Sequence, residues 1–209
     1  MAKIPIIIAA MSMLGYFVCC EPVGSDRDIV YNVVERDTVI VRDTVYPAKS
    51  VTPEPPNIRQ AIVDTLQHYV GVKELTGNND GPVIEMFLLS ADRDPKDREP
   101  WCGALITYGF KVNGLPVPKY PALSAAWFDE DHVILNEQAH QGDLGGLYYD
   151  KLKRIGHIVC YTAPFVNPTP YVPTVEGNTN AQGSREGNQV ANRFRPRSVF
   201  HRSANWVDS

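Results

Sequence analysis

The chain has 209 residues, which is enough for one domain with a substantial hydrophobic core and short additional segments. Hydrophobic residues make up 44% and charged residues 21%, values that are ordinary for a soluble globular protein. The net charge of −4 disfavours nucleic acid as the main partner, because phosphate binding requires a basic surface.

Residues 1–20 have the pattern of an export signal. Lys3 is followed by an apolar stretch from Ile4 to Cys20, and such segments are excluded from fold reasoning. A short membrane anchor is the alternative, although about 20 apolar residues are needed to span a bilayer. Cys20 resembles the lipidated cysteine of a bacterial lipoprotein. We therefore expect an exported protein of the periplasm or cell envelope, which contacts a membrane only through this N-terminal anchor if Cys20 is lipidated.

Residues 21–56 are interpreted as an extended tether. Three Asp-Ile-Val or Asp-Thr-Val triplets precede a cluster of prolines between positions 47 and 56. Alternating charged and β-branched residues are typical of a strand, but the irregular spacing and the prolines favour a linker. The remaining residues, 57–209, are expected to form one domain.

Helices are predicted in the first part of that domain and strands in the second. Asn57 is a candidate cap for a first helix, and Pro82 opens a short second helix. A third helix is predicted from about Trp101 to Val112. Strands are predicted over residues 144–149, 155–162, 171–176 and 189–195. This order indicates an α+β domain, with N-terminal helices packed on an antiparallel sheet, rather than a parallel βαβ fold.

Cys102 is a candidate nucleophile because it lies at the predicted start of the third helix. The first backbone N–H groups of a helix and its dipole stabilise an anion there. A thiolate in that position has a lowered pKa and is the reactive form of cysteine. A small buried cysteine is an equally good interpretation of the position alone.

His157 is a candidate general base on a predicted strand. Strand alternation places His157 on the same face as Val159 and Tyr161, and Cys160 on the opposite face. A disulfide between Cys102 and Cys160 agrees with the cysteine count, but the alternation favours separate roles for the two residues. A lone histidine on an apolar strand is more often a core residue.

Glu176 and Asn178 are candidates for the group that orients the histidine. An imidazole base needs a third group that accepts its other N–H and fixes the tautomer. The two residues share a face if the strand extends that far. A turn is the alternative, since the sequence from Gly177 to Asn180 is rich in turn-forming residues.

In combination, these residues resemble the CHAP family of cell-wall amidases and endopeptidases, within the papain-like group that includes the NlpC/P60 enzymes. The matching stretches are VGVKELTGNNDGPVIEMFL (70–88), EPWCGALITYGF (99–110), QGDLGGLYY (141–149), RIGHIVCYT (154–162) and TVEGNTN (174–180). They are distributed over essentially the whole of 57–209. The resemblance implies a papain-like fold.

The resemblance also implies roles for individual residues. Cys102 would attack an amide carbonyl, His157 would activate it and then protonate the leaving amine, and Glu176 or Asn178 would orient the histidine. Three further residues are expected along the substrate cleft, or alternatively as structural residues that fix a turn: Glu74, Asn79 and Trp101.

The expected function is therefore that of a monomeric cysteine peptidase or amidase acting on peptidoglycan peptides, with no cofactor. No metal is expected, because the chain has no Cys-x-x-Cys or His-Glu-x-x-His motif. The acidic stretch around Asp92, Asp94 and Asp97 lacks the EF-hand pattern. The alternative is an inactive papain-like lipoprotein that binds wall peptides or a protein partner. A related acyl transfer would use the same residues.

Overall fold

The computed structural model describes residues 38–41, 44–47, 57–165 and 169–208. The signal and lipidation predictions for residues 1–20, including Cys20, lie outside the described residues. The chain divides into two compact units, Met1–Glu54 and Pro55–Ser209. In the first unit, β1 (Thr38–Val41) pairs antiparallel with β2 (Thr44–Pro47). The segment interpreted as an extended tether therefore contains a hairpin.

The second unit begins with three helices, α1 (Ile58–Gln67), α2 (Pro82–Ser90) and α3 (Cys102–Val112). Asn57 caps α1, because its Oδ1 accepts a hydrogen bond from the backbone N–H of Arg59 at 3.1 Å. Pro82 occupies the first turn of α2, where its missing N–H needs no partner. None of the helices in the described residues has the length and apolar content needed to cross a bilayer.

A six-stranded antiparallel sheet follows, in the spatial order β3-β8-β4-β5-β6-β7. Its strands are β3 (Val133–Ile134), β4 (Leu144–Tyr149), β5 (Arg154–Tyr161), β6 (Tyr171–Thr179), β7 (Gln189–Pro196) and β8 (Phe200–Ala204). The predicted α+β class is confirmed. Two strands, β3 and β8, were not predicted, because β3 is too short to show an alternating pattern and β8 carries two exposed polar residues in its middle.

Apolar side chains cover both faces of the sheet. Ile158 and Cys160 belong to a large cluster that includes the buried residues of the three helices. Their neighbours in β5, Val159 and Tyr161, belong to a smaller second cluster. This alternation follows from strand geometry and places His157 on the face of β5 opposite Cys160. Both cysteines of the second unit are buried free thiols.

Candidate active site

The N-terminus of α3 presents the candidate nucleophile. Cys102 is the first residue of the helix, and only 4% of its surface is exposed. The next residue has to be glycine, because a Cβ on Gly103 would lie 2.4 Å from the carbonyl oxygen of Ala122. This close approach brings a 3₁₀ helix, Ser124–Trp127, against α3. The Ser124 hydroxyl lies 3.3 Å from Sγ of Cys102 as a result.

His157 lies beside the nucleophile on β5 and is fully buried. Its Nε2 lies 3.0 Å from Oε2 of Glu176, to which it donates a hydrogen bond. The Cys102 thiol interacts electrostatically with the same ring. Since Nε2 is bonded to Glu176, Nδ1 is the nitrogen that remains for the sulfur. Among the described residues, Nδ1 has no partner at regular hydrogen-bond geometry, so its lone pair is available to accept the thiol proton.

Glu176 is the third member of the group, and its carboxylate is saturated with donors. Thr174 Oγ1 donates to Oε1 at 2.7 Å. Arg195, from β7, donates from Nε to Oε1 at 2.8 Å and from Nη2 to Oε2 at 2.5 Å. Both oxygens of the fully buried carboxylate are therefore held in place from two neighbouring strands, which fixes the direction in which it accepts the hydrogen bond of His157.

The charges of this group favour a thiolate beside an imidazolium. Burial raises the pKa of the Cys102 thiol, but the hydrogen bond and charge of His157 and the hydrogen bond from Ser124 outweigh it and lower the pKa to about 7. Burial lowers the pKa of His157, whereas its bonds to Cys102 and Glu176 and their negative charges raise it to about 9. Because the two groups interact, these values belong to the pair. The thiolate–imidazolium pair of Cys102 and His157 is therefore populated between about pH 7 and about pH 9.

Arg195 keeps Glu176 ionised. Burial raises the pKa of the Glu176 carboxyl, but the hydrogen bonds of Arg195 and His157, together with their positive charges, lower it to about 2. A carboxylate without such partners would take up a proton rather than remain charged in the interior. The negative charge that supports the imidazolium of His157 therefore depends on a residue from another strand.

Asn178 does not reach the histidine. Its backbone has φ of 54°, in the left-handed region, and the pairing of β6 with β7 shifts register between Glu176 and Thr179. Alternation is lost at that point, so Asn178 leaves the face that Glu176 occupies. Its Nδ2 donates to the carbonyl oxygen of Gly187 at 2.6 Å and to Oδ1 of Asn79 at 3.2 Å.

The predicted cleft residues lie in the same hydrogen-bonded group as Asn178. Trp101 is fully buried, and its Nε1 donates to Oε1 of Glu74 at 2.8 Å. Nδ2 of Asn178 lies 3.4 Å from the same Glu74 oxygen. The structure thus brings together Cys102, His157 and Glu176. It places Trp101, Glu74, Asn79 and Asn178 in a second group that ties the end of β6 to the residue preceding the nucleophile.

Three residues of the first group were not predicted from the sequence: Ser124, Thr174 and Arg195. Thr174 stands two positions before Glu176, so strand alternation alone could have placed it on the same face. Arg195 lies in a predicted strand, but nothing in the sequence indicates that this strand pairs with β6. Ser124 lies in a segment without periodicity, and no local signal marks it.

A cleft of about 500 Å³ leads to the nucleophile. Cys102, Ser124 and Gly156 form part of its wall. Gly156 is the residue that β5 carries unpaired between Ile155 and His157, because the β4–β5 register shifts there. The remaining lining residues come from the stretch after α2, the stretch before α3 and the segment 119–124, together with Arg154 and Arg185.

No group of three or more His, Cys, Asp or Glu side chains suited to a metal ion occurs in the part of the chain that the structure describes. Asp92 forms an ion pair with Lys111 at 3.3 Å. Asp94 caps a short 3₁₀ turn by accepting from the backbone N–H of Lys96 at 3.0 Å. These two acidic residues therefore have partners of their own.

No protein-family model and no curated protein matches this chain. A solved structure, the crystal structure of Ly7917, is similar to it with a TM-score of 0.40 and 13% sequence identity. The similarity covers 70% of this chain, which spans 61% of the length of Ly7917.

Proposed function

We propose that this protein is a cysteine amidohydrolase or endopeptidase of the papain-like type. The observation that carries the proposal is that a thiol at a helix N-terminus, a buried imidazole and a buried carboxylate lie together. In this arrangement the pKa of Cys102 is lowered to about 7 although the thiol is buried, and that of His157 is raised to about 9. A structural cysteine has no such partners, as Cys160 illustrates, where burial raises the pKa of the thiol.

The proposed reaction begins with proton transfer from the Cys102 thiol to Nδ1 of His157. The thiolate then attacks the carbonyl carbon of an amide, and a carbon–sulfur bond forms while the carbonyl oxygen takes the negative charge. The proposed donors for that oxygen are the backbone N–H of Cys102 at the start of α3 and the Ser124 hydroxyl. Ser124 lies 3.3 Å from Sγ, so its hydroxyl can turn from the sulfur to the adjacent oxyanion once the sulfur has lost its charge.

Collapse of the tetrahedral intermediate breaks the carbon–nitrogen bond. The imidazolium of His157 gives its Nδ1 proton to the departing amine, which leaves as a neutral molecule, and Cys102 remains as a thioester. Water then attacks the thioester with His157 as base, and the acid product leaves with regeneration of the thiol. Throughout, Glu176 stays ionised and accepts the Nε2 hydrogen bond, which holds the ring in the tautomer that the reaction needs.

The substrate class follows from the resemblance and the expected compartment rather than from the geometry. We infer that the amide bonds belong to peptidoglycan peptides in the cell envelope. The cleft of about 500 Å³ beside the sulfur has room for a short peptide segment.

An inactive module that binds wall peptides is the second candidate, and one observation favours it: the side chains of the proposed group are almost fully buried in the absence of substrate. Incubation of purified peptidoglycan with the protein, followed by mass analysis of the soluble fragments, separates the two candidates. A hydrolase releases fragments with new amino groups, and Cys102→Ala abolishes the release while keeping the wild-type circular dichroism spectrum.

The matched control is Cys160→Ala, which removes the other buried thiol of the domain. This variant is expected to retain hydrolysis. Fragment release by Cys102→Ala at the wild-type rate would contradict the proposed mechanism, and binding of peptidoglycan without any release would support the inactive module.

A further inference from the structure

The cleft beside Cys102 carries more positive than negative charge. Six charged residues line it: Asp92, Arg93, Glu99, Lys119, Arg154 and Arg185. Both acids are already engaged, since Glu99 accepts from Nε of Arg93 at 2.6 Å and Asp92 pairs with Lys111. The chain as a whole has a net charge of −4, so the excess of cations in the cleft runs against the overall charge.

Two of the cations lack an acidic partner. Within the described ranges, no carboxylate lies at ion-pair distance from Lys119 or Arg154. Lys119 stands over the ring of Tyr120 at 5.3 Å, and Arg154 donates only to a backbone carbonyl oxygen. Arg185 does pair with Glu186, but that glutamate is not part of the cleft wall.

Both cations line the same cleft as the candidate nucleophile Cys102. Arg154 begins β5 and lies two residues before Gly156, which lines the cleft next to His157. Lys119 belongs to the segment that leads to Ser124, the neighbour of the sulfur. The two unpaired charges therefore come from two different parts of the cleft wall.

We propose that the cleft selects peptides that carry a free carboxylate close to the scissile amide, with Lys119 and Arg154 as the recognising groups. This inference rests on the proposed hydrolase function and adds the charge of its substrate. Lys119 and Arg154 are exposed, and cations that line a cleft together raise the local concentration of an anion within it. A peptide in which that carboxylate is replaced by a carboxamide loses the attraction while keeping its shape.

The charge at the sulfur can be measured without turnover by comparing iodoacetate with iodoacetamide. The two reagents have nearly the same size and alkylate the same thiolate, but only iodoacetate is anionic. Peptide mapping by mass spectrometry gives the rate at Cys102 separately from the other cysteines of the full chain. The ratio of the two rates is normalised to the ratio for N-acetylcysteine, which removes the intrinsic difference between the reagents.

The expected normalised ratio is above one in the wild type and falls roughly two- to threefold in each of Lys119→Gln and Arg154→Gln, as for single unit charges across a solvated cleft. Lys151→Gln is the matched control, since Lys151 is exposed and lies outside the cleft wall. The imidazolium of His157 affects all variants equally, so the differences isolate the cleft cations. Salt at about 1 M should reduce the differences by screening.

The substrate arm uses two synthetic peptides that differ only in Glu or Gln beside the scissile amide. Preferential cleavage of the Glu peptide, lost in Arg154→Gln, supports the proposal. A normalised ratio that is the same in the wild type and in both variants overturns it. Failure of the proposed function has a different signature, which is slow labelling of Cys102 by both reagents at neutral pH. The ratio can then still be measured in alkaline solution and decides the charge of the cleft independently.

Discussion

Replacement of Glu176 by glutamine keeps the size of a fully buried side chain and removes its charge. The reacting group most affected is His157, whose Nε2 lies 3.0 Å from the Glu176 oxygen. Two unit charges whose centres are about 4 Å apart interact by about 4 kcal/mol at an effective permittivity of about 20. The glutamine amide oxygen can still accept the Nε2 hydrogen bond of His157 and keeps part of the attraction, so about half of that energy, or about 2 kcal/mol, is lost.

This energy corresponds to a fall of about 1.5 in the pKa of His157, since one pKa unit is about 1.4 kcal/mol. The wild-type pKa of about 9 should therefore decrease to about 7.5 in Glu176→Gln. Because protonated His157 delivers the proton to the leaving amine, the alkaline limb of kcat/KM moves down with it. The acid limb, set by Cys102, stays near 7, so the active range becomes narrow.

The direct assay is an NMR titration of the labelled histidine rings, with His157→Ala to assign the signal among the five histidines. The double variant Glu176→Gln/Arg195→Met is the control, because it removes the guanidinium that the single variant leaves unpaired beside the ring. It should recover part of the lost pKa. If the titration of His157 in Glu176→Gln still has its midpoint near 9, with the fold intact by circular dichroism, the assignment of Glu176 as the orienting charge is wrong.

Three further outcomes are expected. The lowered pKa of Glu176 stabilises the folded state only at a pH where the carboxyl is ionised in the unfolded chain. In urea titrations, the wild type should therefore lose about 3 kcal/mol of stability as the pH falls from 4.5 towards 2. The variant Glu176→Gln should lack this loss. Ser124→Ala should raise the pKa of Cys102 by about one unit, measured as the midpoint of iodoacetamide labelling against pH, and an unchanged midpoint would remove Ser124 from the site. Gly177→Ala should lower the free energy of unfolding, measured in urea, by about 1–3 kcal/mol. The added Cβ would lie 2.7 Å from the Trp101 ring and 2.8 Å from Leu105. A variant as stable as the wild type would show that β6 does not pack so closely on α3.

Local signals predicted most of the elements. Asn57 and Pro82 mark the starts of α1 and α2 because capping and the missing proline N–H act within one turn of helix. The third helix was placed one residue early, since Trp101 precedes the helix as its cap. The four long strands were predicted with small errors at their ends, because alternation and flanking Gly, Pro or Asn residues bound each of them.

The contents of the site were less predictable, and the reason is long-range pairing. Alternation along β6 predicts that Glu176 and Asn178 lie on the same face, so either could orient His157. Only the register shift at the end of the strand places Asn178 elsewhere. Arg195 could not be assigned, because its contact with Glu176 depends on β7 lying beside β6. Ser124 could not be assigned either. It lies beside the sulfur because Gly103 packs against Pro121 and Ala122, just before Ser124, and no local pattern predicts that contact.

The separation of Cys102 and His157 by 55 positions has a consequence for the chemistry of the chain before it folds. In the unfolded state the thiol has its ordinary pKa of about 9, and about 1% of it is ionised at pH 7. In the folded state, with a pKa of about 7, about half is ionised. Contacts between residues so far apart in sequence require the closure of a long loop, which slows their formation. The nascent protein is therefore chemically latent, and its sulfur becomes strongly nucleophilic only when the helical and sheet parts of the domain have docked.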